Sequence, residues 1–497
     1  MLMYMHSPTK GGMDMPITLK DVQFSFDELE KPLFEQVNLV LDTQWRLGLV
    51  GRNGRGKTTL LKLLMNDYAY SGTISSTTAF RYFPQKLLHP DWPVYTAIDE
   101  VMPIEQWKFE RECQLLQLEK DIIWQPFEQL SGGEQTKVLL AALFCDEASY
   151  VLLDEPTNHL DAQGRALLAT YLKTKKGYLV VSHDRHFLDE VIDHVLAIER
   201  SQLVLYKGNF STYRQQKAQQ DHYELAQNKR LKAEIHRLDR TAKEKAQWAA
   251  SKEASSHDAQ VRADAARMMK RSKAIEKRVA AQVTEKTKLL HNIESVSDLT
   301  MNCLVRHRNP VLRVKNLTLS YGDVPLFQPI SFELYQGEQL AITGANGSGK
   351  TALLAYLFTK KFDGEVTGEV LISPQLTMSM VKQQYEYAGT LKAFAAEQKI
   401  DYTHFLTNLR VLGMERDVFN VPIERMSAGQ KKKVAFAKSL GQPAELYLWD
   451  EPLNYLDIWN QQQIEKMLLH YKPTLLFVEH DPQFIDRVAT KIVELKR

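Results

Sequence analysis

Short apolar runs in this chain end abruptly, in glycine or in a pair of polar side chains, and they come in matched pairs. Trp45–Val50 (WRLGLV) and Glu338–Thr343 (EQLAIT) both run into glycine-rich segments. Apolar stretches at helical spacing follow them, Thr59–Met65 (TLLKLLM) and Ala352–Phe358 (ALLAYLF). Tyr150–Glu155 (YVLLDE) and Leu446–Glu451 (LYLWDE) end in paired acids, while Gly177–Asp184 (GYLVVSHD) and Thr474–Asp481 (TLLFVEHD) end in His-Asp. Apolar runs this short and without polar alternation read as strands buried on both faces. Their alternation with loops and helices predicts two α/β domains, each a parallel sheet with ligands at the carboxyl ends of its strands.

Between the two sets the pattern changes. Residues 211–290 hold neither Gly nor Pro, and Leu225, Leu231, Ile235 and Leu238 recur at helical spacing among charges. The polar stretch Ser251–Gln260 (SKEASSHDAQ) predicts a helix up to about Lys252, a short tip, and a second helix from about Val261 to the low 290s. Forty residues of helix extend about 60 Å. The expected organisation is a disordered leader over 1–15, with Met13 or Met15 an alternative start, a first α/β domain over 16–208, a helical-hairpin linker over 209–298 and a second α/β domain over 299–497.

Composition narrows the class. At 497 residues the chain exceeds a single ordinary core, and 44% apolar with 25% charged residues is typical of globular proteins. Cys113, Cys145 and Cys303 lie far apart with no CxxC pair, which points to a reducing compartment. No apolar run is long enough to span a membrane and no signal peptide is present, so a cytoplasmic location without membrane contact is expected. Net charge is only +2, yet residues 211–290 carry 19 Lys/Arg against 10 Asp/Glu, densest at Arg267–Lys273 (RMMKRSK). A basic arm with too little apolar surface for its own core reads as a polyanion contact, made by shape and phosphate rather than by base edges.

The domains repeat their chemistry as well as their hydrophobicity. GRNGRGKT (Gly51–Thr58) recurs as GANGSGKT (Gly344–Thr351), LSGGEQTK (Leu130–Lys137) as MSAGQKKK (Met426–Lys433), and the acidic pair Asp154-Glu155 as Asp450-Glu451. Lys57 to Ser131 is 74 residues and Lys350 to Ser427 is 77, while Ser to Asp is 23 in both halves. Four motifs in one order at one spacing, twice, exclude coincidence.

Glycine-rich loops wrap phosphate oxygens with backbone N–H groups, and the next helix adds its positive end. The expected nucleotide contacts are Gly51, Asn53, Gly54, Gly56, Lys57, Thr58 and Thr59 in one half, and Gly344, Asn346, Gly347, Gly349, Lys350 and Thr351 in the other. Thr58 with Asp154, and Thr351 with Asp450, are the expected Mg²⁺ ligands, with ATP as the nucleotide. Glu155 and Glu451 are placed to orient or deprotonate the attacking water, and His183 and His480 to touch the γ-phosphate. Gln85 (RYFPQ) and Gln383 (MVKQQ) are candidates for a Mg²⁺- and water-contacting glutamine, with Gln384 competing for the second position. Phe26 and Tyr321 precede the loops at similar distances and read either as adenine-stacking rings or as core packing.

On these motifs both halves resemble ATP-binding cassette ATPases, giving an expected fold of two tandem ABC-type P-loop domains joined by a long α-helical hairpin. The resemblance implies head-to-tail cassettes within a monomer, each nucleotide lying between one phosphate loop and the opposite signature. Gly51–Thr58 would then face Ser427, Ala428, Gly429 and Gln430, while Gly344–Thr351 would face Ser131, Gly132, Gly133, Glu134 and Gln135, with Asp161 and Asp457 in the D-loops. Ala428 and Gln430 depart from the first signature, so unequal hydrolysis rates are expected.

Tandem cassettes, a basic helical linker and YKGNFSTY (Tyr206–Tyr213) leading into it resemble the ABC-F proteins, and within them the Lsa- and Vga-type antibiotic-resistance branch. That resemblance implies a bacterial ribosome as partner, through rRNA and E-site or P-site tRNA, with the linker reaching toward the peptidyl transferase centre. It implies protection against lincosamides, streptogramin A and pleuromutilins. The linker tip would be Trp248, Ser255, Ser256, His257 and Asp258. No large insertion separates Gln85 from Ser131, and no C-terminal extension is expected beyond Arg497. Alternatives are a housekeeping ABC-F translation factor without a drug phenotype, and the ATPase subunit of a multi-chain transporter.

Overall fold

The computed structural model describes residues 16–26, 32–158, 160–199, 202–254, 298–305, 310–322, 324–383, 385 and 387–496. The chain divides into two units, one holding the residues up to Phe210 together with those from Ser297 onward, the other spanning Ser211–Val296.

In the first half, six strands among the described residues form one sheet in the order Phe80–Phe83, Tyr150–Asp154, Tyr178–Val181, Arg46–Val50, His194–Glu199, Gln202–Lys207. All pair in parallel except the last. In the second half the order is Met378–Val381, Leu446–Asp450, Leu475–Val478, Gln339–Thr343, Lys491–Glu494, all parallel. The apolar runs are strands because both faces are covered: Leu446–Asp450 is buried at every residue and Tyr178–Val181 likewise. An antiparallel sheet adds to each half, from Ile17–Phe24, Phe34–Leu41 and Ser71–Ser75 in one and from Leu312–Tyr321, Ile330–Leu334 and Glu365–Ile372 in the other.

Each half also carries a helical layer that holds the signature. In the first it contains the helices Val94–Val101, Gln106–Leu115 and Gly132–Leu143, and in the second Leu391–Glu397, Tyr402–Val411 and Ala428–Gly441. In the first half this layer is tied to the core by a buried carboxylate. Glu112, fully buried, accepts hydrogen bonds from the Tyr171 hydroxyl (2.6 Å), from Lys175 and from Arg111. Although burial works against it, these partners hold the Glu112 carboxyl below its ordinary value.

The segment that follows the linker is pinned to the second half. Leu299 and Met301 are buried, Asn302 N donates to Leu440 O (3.1 Å), and Leu304 N donates to Ala444 O (2.8 Å). The first linker helix runs Phe210–Ala254, two residues past its expected end, or roughly 68 Å at 1.5 Å per residue. Pairs four residues apart support it: Lys217 with Asp221 and Arg240 with Glu244, each at 3.5 Å. The expected second linker helix and the tip residues Ser255, Ser256, His257 and Asp258 lie outside the described residues, as does the Trp248 side chain. No helix among the described residues is long and apolar enough to cross a membrane.

Removing one partner of a buried ion pair strands the other, at about 3–5 kcal/mol. Glu112→Ala is therefore expected to lower unfolding stability by about 3 kcal/mol in urea titration at neutral pH. Because the native Glu112 pKa is depressed, its contribution is present above the unfolded carboxylate pKa and fades as pH falls below it. The difference between wild type and variant therefore shrinks in acid.

Candidate nucleotide sites

Both phosphate loops turn into their helices through a glycine that no other residue can replace cheaply. Gly56 (φ 89°) and Gly349 (φ 81°) cap the helices Lys57–Leu64 and Lys350–Thr359 in the left-handed conformation. A Cβ on Gly56 would stand 2.7 Å from Leu33 Cδ2, and one on Gly349 3.0 Å from Leu326 Cβ. The lysines fold back over their own loops. Lys57 Nζ donates to Gly51 O (2.9 Å) and to Asn53 Oδ1 (3.1 Å), and Lys350 Nζ to Gly344 O and Ala345 O (2.8 Å each). Burial lowers the pKa of both, opposed at Lys57 by Glu155, Asp457 and Asp154.

The acidic pairs stand where their strands end. Asp154 Oδ2 accepts from Thr58 Oγ1 (2.7 Å) and from the Tyr82 hydroxyl (3.1 Å). Asp450 is fully buried, with the Thr351 hydroxyl beside its carboxylate. Burial pushes its pKa up against the Thr351 hydroxyl, and the neighbouring Glu451 adds to the rise. A hydroxyl and a hard carboxylate beside a phosphate loop fit Mg²⁺, which takes one or two carboxylates plus substrate phosphates. Thr58 with Asp154 and Thr351 with Asp450 would hold it.

Glu155 and Glu451 both sit in the left-handed backbone region (φ 53° and 45°), which is strained for a residue with a side chain. Each backbone N–H is nevertheless fixed by the next strand, Glu155 N on Val181 O (2.9 Å) and Glu451 N on Val478 O (3.0 Å). Their side chains differ. His183 Nε2 lies 3.2 Å from Glu155 Oε1, burial raises the Glu155 pKa to about 8, and burial beside Lys57 keeps His183 well below its ordinary value. Glu451 Oε2 accepts from Gln383 Nε2 (3.0 Å) and from Asn454, with His480 Nε2 at 3.6 Å from Oε1. Against its burial, His480 and Gln383 hold Glu451 below the usual carboxylate value.

The two glutamines are equivalent in register, since Tyr82 pairs with Leu152 as Met380 pairs with Leu448, and each glutamine follows three residues on. Gln383 faces Glu451, whereas Gln85 donates to Lys86 O (3.4 Å). Gln384 lies outside the described residues. Phe26 lines the cavity at the first loop, packed edge-on against Phe24. Tyr321 is 55% exposed and rests on Phe362.

Both signature serines cap helices. Ser131 Oγ accepts from Glu134 N (3.4 Å) and Ser427 Oγ from Gln430 N (3.3 Å), with Glu134 and Gln430 returning the bond to complete capping boxes. Gln135 donates to Phe127 O and Leu130 O (3.1 Å each), inside its own helical layer. Gly132 and Ala428 begin the two helices.

Across the halves, the first phosphate loop meets the second signature. A cavity of about 500 Å³ is lined by Gly54, Lys57 and Glu155 from one half and by Ser427, Gly429 and Gln430 from the other. Asp457 closes it: Asn53 N donates to Asp457 Oδ2 (2.9 Å), and Asn53 Nδ2 to Tyr455 O (3.0 Å). At the second loop, Asp161 of the first half acts on Lys350 and favours its charged form. Arg185, buried, bridges the halves to Glu465 (3.5 Å) and Ile458 O (3.3 Å). Tyr82, Tyr455 and Arg185 escaped the sequence reading. Tyr82 could have been found from its place three residues before Gln85, whereas the other two depend on a contact between halves that no local pattern encodes.

The family described as ABC transporter matches residues 34–158 and 327–454. The ribosome protection protein VmlR of Bacillus subtilis is 30% identical over 495 residues, covering 95% of this chain and 85% of its own length. The energy-dependent translational throttle protein EttA of Haemophilus influenzae is 26% identical over 532 residues, covering 94% of this chain and 89% of its own. Among solved structures, a model of ribosome-bound archaeal Pelota and ABCE1 aligns with a TM-score of 0.61 at 22% identity, over 95% of this chain and 76% of that one. With two matched cassettes and full-length relatives of this kind, the chain belongs to the ATP-binding cassette family, as a tandem-cassette ATPase of its ABC-F group.

Proposed function

We propose that this ATPase binds the bacterial ribosome at the E site in the cytoplasm, as a monomer, and sends its linker toward the peptidyl transferase centre to protect it against lincosamides, streptogramin A and pleuromutilins. The observation that carries the reading is the composite first site. Asn53 of one phosphate loop is bonded to Asp457 of the other cassette, and one cavity takes its lining from both halves, as an ATP-driven clamp requires. A basic linker of net +9 over residues 211–290 is the element suited to rRNA and tRNA phosphates. VmlR and EttA, which span nearly the whole chain, are named for ribosome protection and for translational throttling.

In this reading ATP and water give ADP and phosphate at both sites. Glu451, ionised and oriented by Gln383 and Asn454, takes the proton of the attacking water at the second site. Glu155 does so at the first, after giving up the proton that its burial favours. Lys57 and Lys350 turn from their loop carbonyls to the β- and γ-phosphates, and the capped signature helices offer N–H groups to the same oxygens. Mg²⁺, held by Thr58 with Asp154 and by Thr351 with Asp450, would supply positive charge to offset that developing on the transferred phosphate.

Glu155→Gln combined with Glu451→Gln is expected to lower ATP turnover by about 10²–10⁴-fold, the usual worth of a general base. The same double variant should pellet with ribosomes in ATP, and its full recovery in the supernatant would sink the ribosome reading. Expression in a drug-sensitive bacterium should raise tolerance to lincomycin or tiamulin. Unchanged susceptibility across the peptidyl-transferase drugs would favour a housekeeping translation factor.

A further inference from the structure

The two cassettes treat their glutamine–glutamate pairs differently, and a buried cation accounts for the difference. Lys432, 2% exposed, lies in the second turn of the helix Ala428–Gly441. Its Nζ donates to Asp450 O (3.2 Å) and to Lys382 O (3.4 Å), with the Tyr385 ring 5.7 Å away. Each accepting carbonyl belongs to the residue immediately before a site side chain: Asp450 precedes Glu451, and Lys382 precedes Gln383. One ammonium therefore grips the ends of two adjacent strands, and the Gln383–Glu451 hydrogen bond (3.0 Å) spans the same gap just beyond it.

In the first cassette the equivalent of Lys432 is Thr136, whose hydroxyl donates to Gly132 O within its own helix (2.9 Å). There Gln85 turns to Lys86 O. Grip and Gln–Glu contact are both present in one cassette and both missing, among the described residues, from the other. An unpaired buried ammonium is strongly disfavoured. Burial lowers the Lys432 pKa to about 8, against the buried Glu479, which stands where the first cassette has Ser182, and against Asp450 and Glu451, all of which favour the charged lysine. The paired exchange of Thr136 and Ser182 for Lys432 and Glu479 places one basic and one acidic group in the interior, where burial raises the Glu479 pKa. The same helix presents Ser427 at its cap and Gly429 in its first turn to the first-site cavity.

We propose that Lys432 is a positioning residue of the second site: by holding the carbonyls before Gln383 and Glu451, it sets the pair that orients the attacking water. The helix that carries it also lines the first-site cavity, so the two sites are joined through roughly its first turn and a half, from Ser427 to Lys432. The proposal rests on the reading of Glu451 and Gln383 as the water-orienting pair.

Glu155→Gln confines hydrolysis to the second site and Glu451→Gln to the first, which gives the test its two backgrounds. Lys432→Met keeps the length and apolar packing of the stem but has no donor. In the Glu155→Gln background it is expected to lower kcat by about 10–100-fold, the range for a small misplacement of catalytic groups, with KM for ATP within about 2-fold. Lys432→Arg should recover most of that loss. The fall should be several-fold smaller in the Glu451→Gln background. Equal falls in both backgrounds, a loss confined to KM, or an unchanged kcat in the Glu155→Gln background overturns the proposal. Thermal unfolding of each variant reports folding, and should Lys432→Met not fold, Lys432→Gln and Lys432→Arg give the same comparison. Wild-type turnover in the Glu155→Gln, Glu451→Gln double variant would instead overturn the reading of the glutamates, whatever Lys432 does.

Discussion

The carboxylate of Asp457 does two jobs with its two oxygens. Oδ1 accepts from Asn460 N (2.9 Å) and caps the helix Ile458–Tyr471, while Oδ2 accepts from Asn53 N (2.9 Å) in the phosphate loop of the other cassette. A charge-assisted bond to a backbone N–H is among the stronger hydrogen bonds available to a side chain. Because the first oxygen fixes the carboxylate to a helix end, the second is aimed without further ordering. The first nucleotide cavity exists in this form because that bond holds the loop against the signature of the opposite half.

The two sites are unequal in the surroundings of their glutamates. At the first, Glu155 lies buried beside Lys57, and burial works against both charges at once. At the second, hydrogen bonds from Gln383 and Asn454 and the nearness of His480 stabilise Glu451 as an anion. Asp154 is bonded by the Thr58 and Tyr82 hydroxyls, whereas Asp450 is fully buried beside the Thr351 hydroxyl. The backbone strain at the two glutamates is alike (φ 53° and 45°), so the difference arises from the side chains that surround them. Lys432 and Glu479 are the largest such difference.

The second signature helix has a role at both ends. Its first turn lines the first nucleotide cavity, and near its last turn Leu440 O accepts from Asn302 N, in the segment that follows the linker. Asn302 O in turn accepts from the Tyr447 hydroxyl (2.8 Å) at the start of the acidic-pair strand. Helices transmit displacement because their backbone bonds leave little internal freedom, and this one joins nucleotide and linker root over fourteen residues.

The chain's hydrophobic runs and repeated motifs determine a great deal unaided. Parallel strands, glycine loops with their lysines, acidic pairs at strand ends and capped signature helices are all local: each depends on which residues are adjacent in sequence, through two-face burial, positive φ or a side chain three residues from its partner. The first linker helix is legible for the same reason, since freedom from Gly and Pro with charges at i and i+4 is a local property. Adenine-stacking against core packing at Phe26 and Tyr321 was not legible, because it depends on which face a single ring presents. Nor could sequence show that Gln383 meets Glu451 while Gln85 turns away, or that Lys432 bridges two strand ends. Tertiary structure alone decided the contacts of Gln383 and Lys432, since each joins residues that are distant in sequence and meet only when the sheet and the helical layer are packed together.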